Sequence, residues 1–89
     1  MEENEYIILD ELYFVVTFDE LQRKTGFPEG TLKQELSNLL KKGWLKIVDL
    51  ETDSEIEDHS VIDRDYKNYN YLASKAGLFA HNSRKIVWY

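Results

Sequence analysis

The sequence predicts a mixed α+β domain in which helices come first and strands follow. Up to Gly43 the apolar residues recur at helical spacing, and Leu32, Leu36, Leu39 and Leu40 form the clearest stripe. Beyond it, Leu45–Leu50 and the run around Tyr69, Tyr71 and Leu72 are short, β-favouring and separated by a polar stretch. A chain of 89 residues has the size of one domain, and 43% hydrophobic with 13% aromatic residues suffice to fill a core. We read 1–89 as a single domain, with a core over about 5–83 and an apolar tail at 84–89.

Taken in order, Glu5–Val15 is the first predicted helix. Ile8, Leu9, Leu12 and Val15 make its apolar stripe, widened by Tyr6 and Tyr13. Ile7 and Phe14 fall on the opposite face, so this helix has two apolar faces where a surface helix needs one. A later segment covers the second face, or it is a contact to a second copy or another partner. Thr17 and Glu20 have the spacing of a capping box, with Val16 and Leu21 as its staple, so a second helix starts at Phe18. It runs to about Thr25, where Gly26 stops it. Pro28 suits the first position of a third helix, over about 28–42; Lys41 and Lys42 complement its C-terminal dipole and Gly43 ends it.

Leu45–Leu50 is the first predicted strand, with Leu45 and Ile47 on one face and Val48 and Leu50 on the other. Residues 51–65 show no sustained periodicity. Tyr66, Tyr69, Tyr71 and Leu72 suggest the returning strand, and Ser74 caps a short last helix over Lys75–Asn82. Ile86, Val87, Trp88 and Tyr89 are β-prone and apolar, and we expect them to pack on the domain or on a partner.

Four local motifs in this order resemble a winged helix-turn-helix of the kind found in bacterial MarR-like and PadR-like regulators. Phe18–Gly26 looks like the first helix of the helix-turn-helix, and Pro28–Leu32 through Leu36 and Leu39 like its recognition helix. Lys42-Gly43-Trp44-Leu45 resembles the exit into the wing. Tyr71-Leu72-Ala73-Ser74-Lys75-Ala76-Gly77 resembles the signature that closes the wing, with Ser74 for the usual Thr and Ala73 for a larger aliphatic. The resemblance implies a three-helix core, a wing sheet of two or three strands and a short C-terminal helix. It also implies a DNA-binding transcriptional regulator, acting as a dimer. Domains of this fold also serve as protein-interaction or dimerisation modules.

On the third helix the arc opposite the leucines holds Gly30, Gln34, Ser37, Asn38 and Lys41, and no acid. Gln and Asn can pair with adenine in the major groove, and Ser or Lys can reach bases or phosphates. Thr31, Lys33, Gln34, Ser37, Asn38, Lys41 and Lys42, with Lys46 on the following strand, are the candidate contacts to double-stranded DNA. Arg23 and Lys24 could add phosphate contacts. The candidate contacts to a protein partner or second copy are Ile7, Phe14, Trp88 and Tyr89.

The net charge of −6 is not spread along the chain. Residues 51–65 hold seven acids against Arg64 alone, while the rest of the chain has ten acids and ten bases. Such a wing is repelled by phosphate. It points away from DNA, or the domain does not bind DNA, or the acidic stretch meets a basic protein, or it is a solvated loop with no role.

Asp53, Glu55 and Glu57 alternate like the start of a calcium loop, but Asp58 stands where the loop needs Gly and Arg64 where it needs Glu, so we expect no metal site. Asp58-His59-Ser60 are chain neighbours, which is the wrong arrangement for a triad, and His81 reads as a helix-end residue. We expect no enzyme and no cofactor. Without Cys, a membrane-length apolar run or a leader segment, the chain reads as a soluble cytoplasmic protein.

Overall fold

The computed structural model describes residues 2–86, and for 84–86 the backbone only. It is an α+β fold. Helix α1 spans Glu3–Asp10, strand β1 Val16–Thr17, α2 Phe18–Thr25 and α3 Glu29–Lys41. Strands β2 (Leu45–Val48) and β3 (Glu55–Ile56), the short α4 (Ile62–Asp65), β4 (Asn70–Ala73) and α5 (Lys75–Ile86) follow. The four strands form one antiparallel sheet in the order β1-β4-β2-β3. Ile47 faces both Tyr71 and Ile56, so β2 and β4 are the central pair. The helices cover a core built from Ile8, Leu9, Leu12, Phe18, Leu21, the four leucines of α3, Leu45, Ile47 and Tyr71.

Local chemistry sets most of these boundaries. The Thr17 hydroxyl accepts from the Glu20 amide at 3.1 Å and starts α2. Gly26, at φ 75°, ends it by donating its amide to the Gln22 carbonyl at 2.8 Å, a left-handed turn that disfavours a side chain. Pro28, with ψ at 152°, stands just before α3 as its cap rather than inside its first turn. Ser74 opens α5: its hydroxyl accepts from the Gly77 amide at 3.1 Å and donates to the Gly43 carbonyl at 2.6 Å.

The first helix is shorter than its periodicity predicts. It ends at Asp10, because Tyr13-Phe14-Val15-Val16-Thr17 is an aromatic and β-branched run that favours extended backbone. The Leu12 carbonyl accepts from the Ala73 amide at 3.0 Å, and Val16 pairs with Tyr71. Three residues, Tyr13 to Val15, therefore span the stretch that Leu72 alone spans opposite, and they bulge outward. Phe14 is not on the back of a helix; it projects from this bulge, and Val15 is exposed rather than part of the stripe.

The sheet has four strands where two or three were expected, because both an unexpected strand β1 and the acidic stretch contribute. Residues 51–65 are not a plain loop. The Asp49 carboxylate accepts from the Glu51 and Thr52 amides at 2.8 and 3.2 Å, which turns the chain and ends β2 at Val48. Val48 is buried, while Leu50 lies on the turn, 53% exposed. The chain then forms β3, a turn over His59–Val61 and α4. Ile62 is buried, and Ile56, Val61 and Tyr66 pack on the core. Tyr66 belongs to a helical turn, Tyr66–Asn68, rather than to the returning strand, and its ring meets Phe18 edge-on at 5.0 Å.

Helix α5 continues to Ile86 instead of stopping at Asn82, so Ile86 is helical rather than extended. The proposed contacts Trp88 and Tyr89 lie outside the described residues.

Candidate interaction surface around the third helix

Leu32, Leu36, Leu39 and Leu40 turn α3 inward, as their spacing requires. Its two flanks are then covered from opposite sides. On one flank, Asn4 donates to the Glu35 carboxylate at 3.0 Å, and the Lys42 ammonium lies 2.5 Å from Glu5. Glu5 is only 1% exposed. Burial pushes its carboxyl up, but Lys42 and the Glu2 amide outweigh this and hold it below the ordinary range. The Lys42 ammonium also lies 4.9 Å from the centre of the Trp44 ring.

On the other flank lies the segment 59–68. Lys33 donates to the Asp63 carbonyl at 2.9 Å and stands 5.0 Å over the Tyr66 ring. The Tyr66 hydroxyl donates to Glu29, and Lys67 pairs with the same carboxylate at 3.1 Å. Those two contacts, the hydroxyl first, hold the Glu29 carboxyl below its ordinary value.

What stays outward is a narrow arc. Thr31, Gln34 and Lys41 are exposed and Ser37 and Asn38 half-buried, and Gln34 donates to the Asn38 side chain at 3.2 Å. Shallow clefts flank the arc. One, of about 350 Å³, is lined by Glu2, Glu5, Asn38, Lys41 and Lys42. The other, of about 270 Å³, runs between Ser37, Leu40 and Lys41 and the residues His59, Ile62 and Asp63. Lys41 lines both. Of the candidate DNA contacts, the structure brings Thr31, Gln34, Ser37, Asn38 and Lys41 together on this ridge. Lys33 and Lys42 are bonded to its flanks, and Lys46 is half-buried on β2 opposite Leu72.

The seven acids of 51–65 are all exposed. A cleft of about 410 Å³ beside the Asp49 turn is lined by Asp49, Leu50, Glu51, Asp65, Asn68 and Tyr69. Among the described residues, no three acidic or histidine side chains converge as a metal would need.

Apolar groups are exposed elsewhere. Phe14 is 80% exposed, whereas Ile7 is half-buried. Phe79, at 75%, was missed by sequence reasoning because it lies on a short helix whose buried side was not yet known. His81, read as a helix-end residue, is wholly buried between α1 and the bulge. The sequence does hold one signal for it: it sits four residues after Gly77, on the inward side of α5.

No helix among the described residues is long and apolar enough to cross a membrane. Comparison with family models, with curated proteins and with solved structures gives no match.

Proposed function

We propose that this chain is a winged-helix domain that docks onto another protein through its acidic, solvent-facing side, rather than a reader of DNA. Two features support the winged-helix reading. The short β1 between α1 and α2 pairs with β4, and β4 with β2, as the returning strand of a wing does. The closing motif is also explained, since Gly77 packs against the Trp44 carbonyl.

One observation carries the protein-docking reading: Lys33 and Lys42, two of the cations that would meet phosphate, are both engaged within the chain. Duplex DNA is held mainly by cations that neutralise its phosphates. The arc of α3 then presents Lys41 between clefts that also hold Glu2, Glu5 and Asp63. The partner that suits the opposite charge offers basic groups to Glu51, Asp53, Glu55 and Glu57.

The test is fluorescence anisotropy at about 50 mM salt, where even weak electrostatic binders associate. A mixed-sequence duplex should not bind, and a Lys/Arg-rich peptide should, with an affinity that falls on adding salt. Reversing Glu51, Asp53, Glu55 and Glu57 to Lys should abolish the peptide binding. Duplex binding that is lost in Gln34→Ala and Lys41→Ala would overturn the reading. It would support instead a DNA-binding regulator, the second reading, which the Gln34–Asn38 pair on the outward arc favours.

A further inference from the structure

The two outer strands of the sheet, β1 and β3, end it in different ways. At the β1 edge the Thr17 amide donates to the Glu20 carboxylate at 3.4 Å, as part of the cap of α2, and the 13–15 bulge interrupts the strand. At the β3 edge Ser54, Glu55 and Glu57 are exposed, and Asp58 is still extended, with φ −82° and ψ 93°. Among the described residues no side chain bonds the amide of Glu55 or Glu57.

The ladder fixes which backbone groups of β3 are turned outward. In an antiparallel pair, positions that exchange hydrogen bonds alternate with positions that turn theirs the other way. The Asp49 amide donates to the Ser54 carbonyl at 2.9 Å, so Asp49 and Ser54 are a bonded position and, two residues on, Ile47 and Ile56 are the next. The Ser74 amide, donating to the Trp44 carbonyl at 2.9 Å, sets the same phase on the other side of β2, where Lys46 and Val48 bond to β4. Glu55 and Glu57 therefore direct their N–H and C=O groups away from β2, into the open edge. Ile56 packs on the core, so the period of two places the Glu55 and Glu57 side chains together on the opposite face.

We propose that the β3 edge takes up an extended, basic segment of a protein partner as an added strand, with Lys or Arg at every second residue. This rests on the protein-docking function proposed for the acidic side and adds the mode of docking. Main-chain bonds to Glu55 and Glu57 set the register of the incoming strand. The two carboxylates, on one face, select cations two residues apart, which stand beside them on the same face of the added strand. The same charges repel the β3 of a second copy, so the occupant is a basic strand and not this edge paired with itself.

The probe is a short peptide alternating Lys and Thr, measured by fluorescence anisotropy on the intact chain at about 50 mM salt. Beside it run two versions, N-methylated at every Lys amide or at every Thr amide, which keep the charge and lose those donors. In antiparallel docking the Lys amides face β3, and in parallel docking the Thr amides do. One version alone should lose at least about tenfold in affinity, the equivalent of the one or two hydrogen bonds it blocks, and the other should bind like the unmodified peptide. Amide exchange at Glu55 and Glu57 should slow in the complex. Equal affinity of the two methylated versions, or Glu55 and Glu57 amides that stay unprotected, would overturn strand docking while leaving the acidic side as a docking surface. An unmodified peptide that does not bind would overturn both.

Discussion

The carbonyl oxygen of Trp44 lies 2.1 Å from the point where a Cβ on Gly77 would stand. Helix α5 is thus seated directly against the backbone between α3 and β2. Ser74 secures the same junction, donating its amide to the Trp44 carbonyl at 2.9 Å. Backbone cannot yield as a flexible side chain does. Gly77→Ala should therefore destabilise by about 2–4 kcal/mol, despite the better helix propensity of alanine. In an 89-residue chain that lowers Tm by roughly 10–25 °C, measurable by calorimetry.

The Glu5–Lys42 pair should respond unequally to loss of its partners. Lys42→Met leaves a carboxylate buried without its cation and should cost about 2–4 kcal/mol. Glu5→Gln leaves Lys42, whose side chain is 43% exposed, in contact with water and should cost about half as much. The pair also sets a pH dependence. Because the folded carboxyl lies below its ordinary value, the stabilisation is complete above about pH 4.3 and is lost as pH falls through the lower folded value. Urea midpoints measured between about pH 3 and 6 should fall on the acid side in the wild type, and less steeply in Lys42→Met.

Ile62 is the fully buried residue of the segment 57–68, which Val61 and Tyr66 also anchor on the core and which lies beside α3. Ile62→Ala should cost about 2–4 kcal/mol, with a local signature. Hydrogen exchange should rise over about 57–68 while the amides of β2 and β4 stay protected. Uniform loss of protection would show instead that the segment and the sheet unfold as one unit.

Tyr13 and Phe14 are neighbours with opposite roles. Phe14→Ser should leave stability within about 0.5 kcal/mol of wild type, because the ring is 80% exposed. Tyr13→Phe, the milder change on paper, should cost about 0.5–1.5 kcal/mol, since it removes the hydroxyl that joins His81 and Asn82. Chemical denaturation of the two variants compares them directly.

The parts of the fold legible in the sequence are those fixed by local chemistry. The capping box at Thr17 and Glu20, the stop at Gly26, the leucine stripe of α3 and the Ser74 cap need only neighbours in the chain, and all stand where the residues place them. The end of α1 was only half legible: the aromatic and β-branched run Tyr13–Thr17 disfavours helix, but its apolar residues also fit the helical stripe, and the contact that settles the end is made to Ala73, far away in sequence. The acidic stretch misled for a related reason. Its charges dominate the composition, but Ile56, Val61 and Ile62 decide its course by reaching the core, and at irregular spacing they show no period. At the candidate site the outward residues of α3 were readable by helical geometry. The pairing of Lys33 and Lys42 was not, since Asp63 and Glu5 come from segments that only the fold brings near.

The strand order bears on how the chain folds in time. Strands β2 and β3 meet across a short turn and close a small loop. Strand β1 meets β4 only when Val16 finds Tyr71, across more than half the chain. Loop-closure entropy makes the hairpin the cheap early contact and the edge strand the late one. A late contact governs how fast the native state opens more than how fast it forms. Val16→Ala should therefore speed unfolding with little change in the refolding rate. Tyr13 and Phe14, tethered just before that edge, would be among the first residues released when the domain opens.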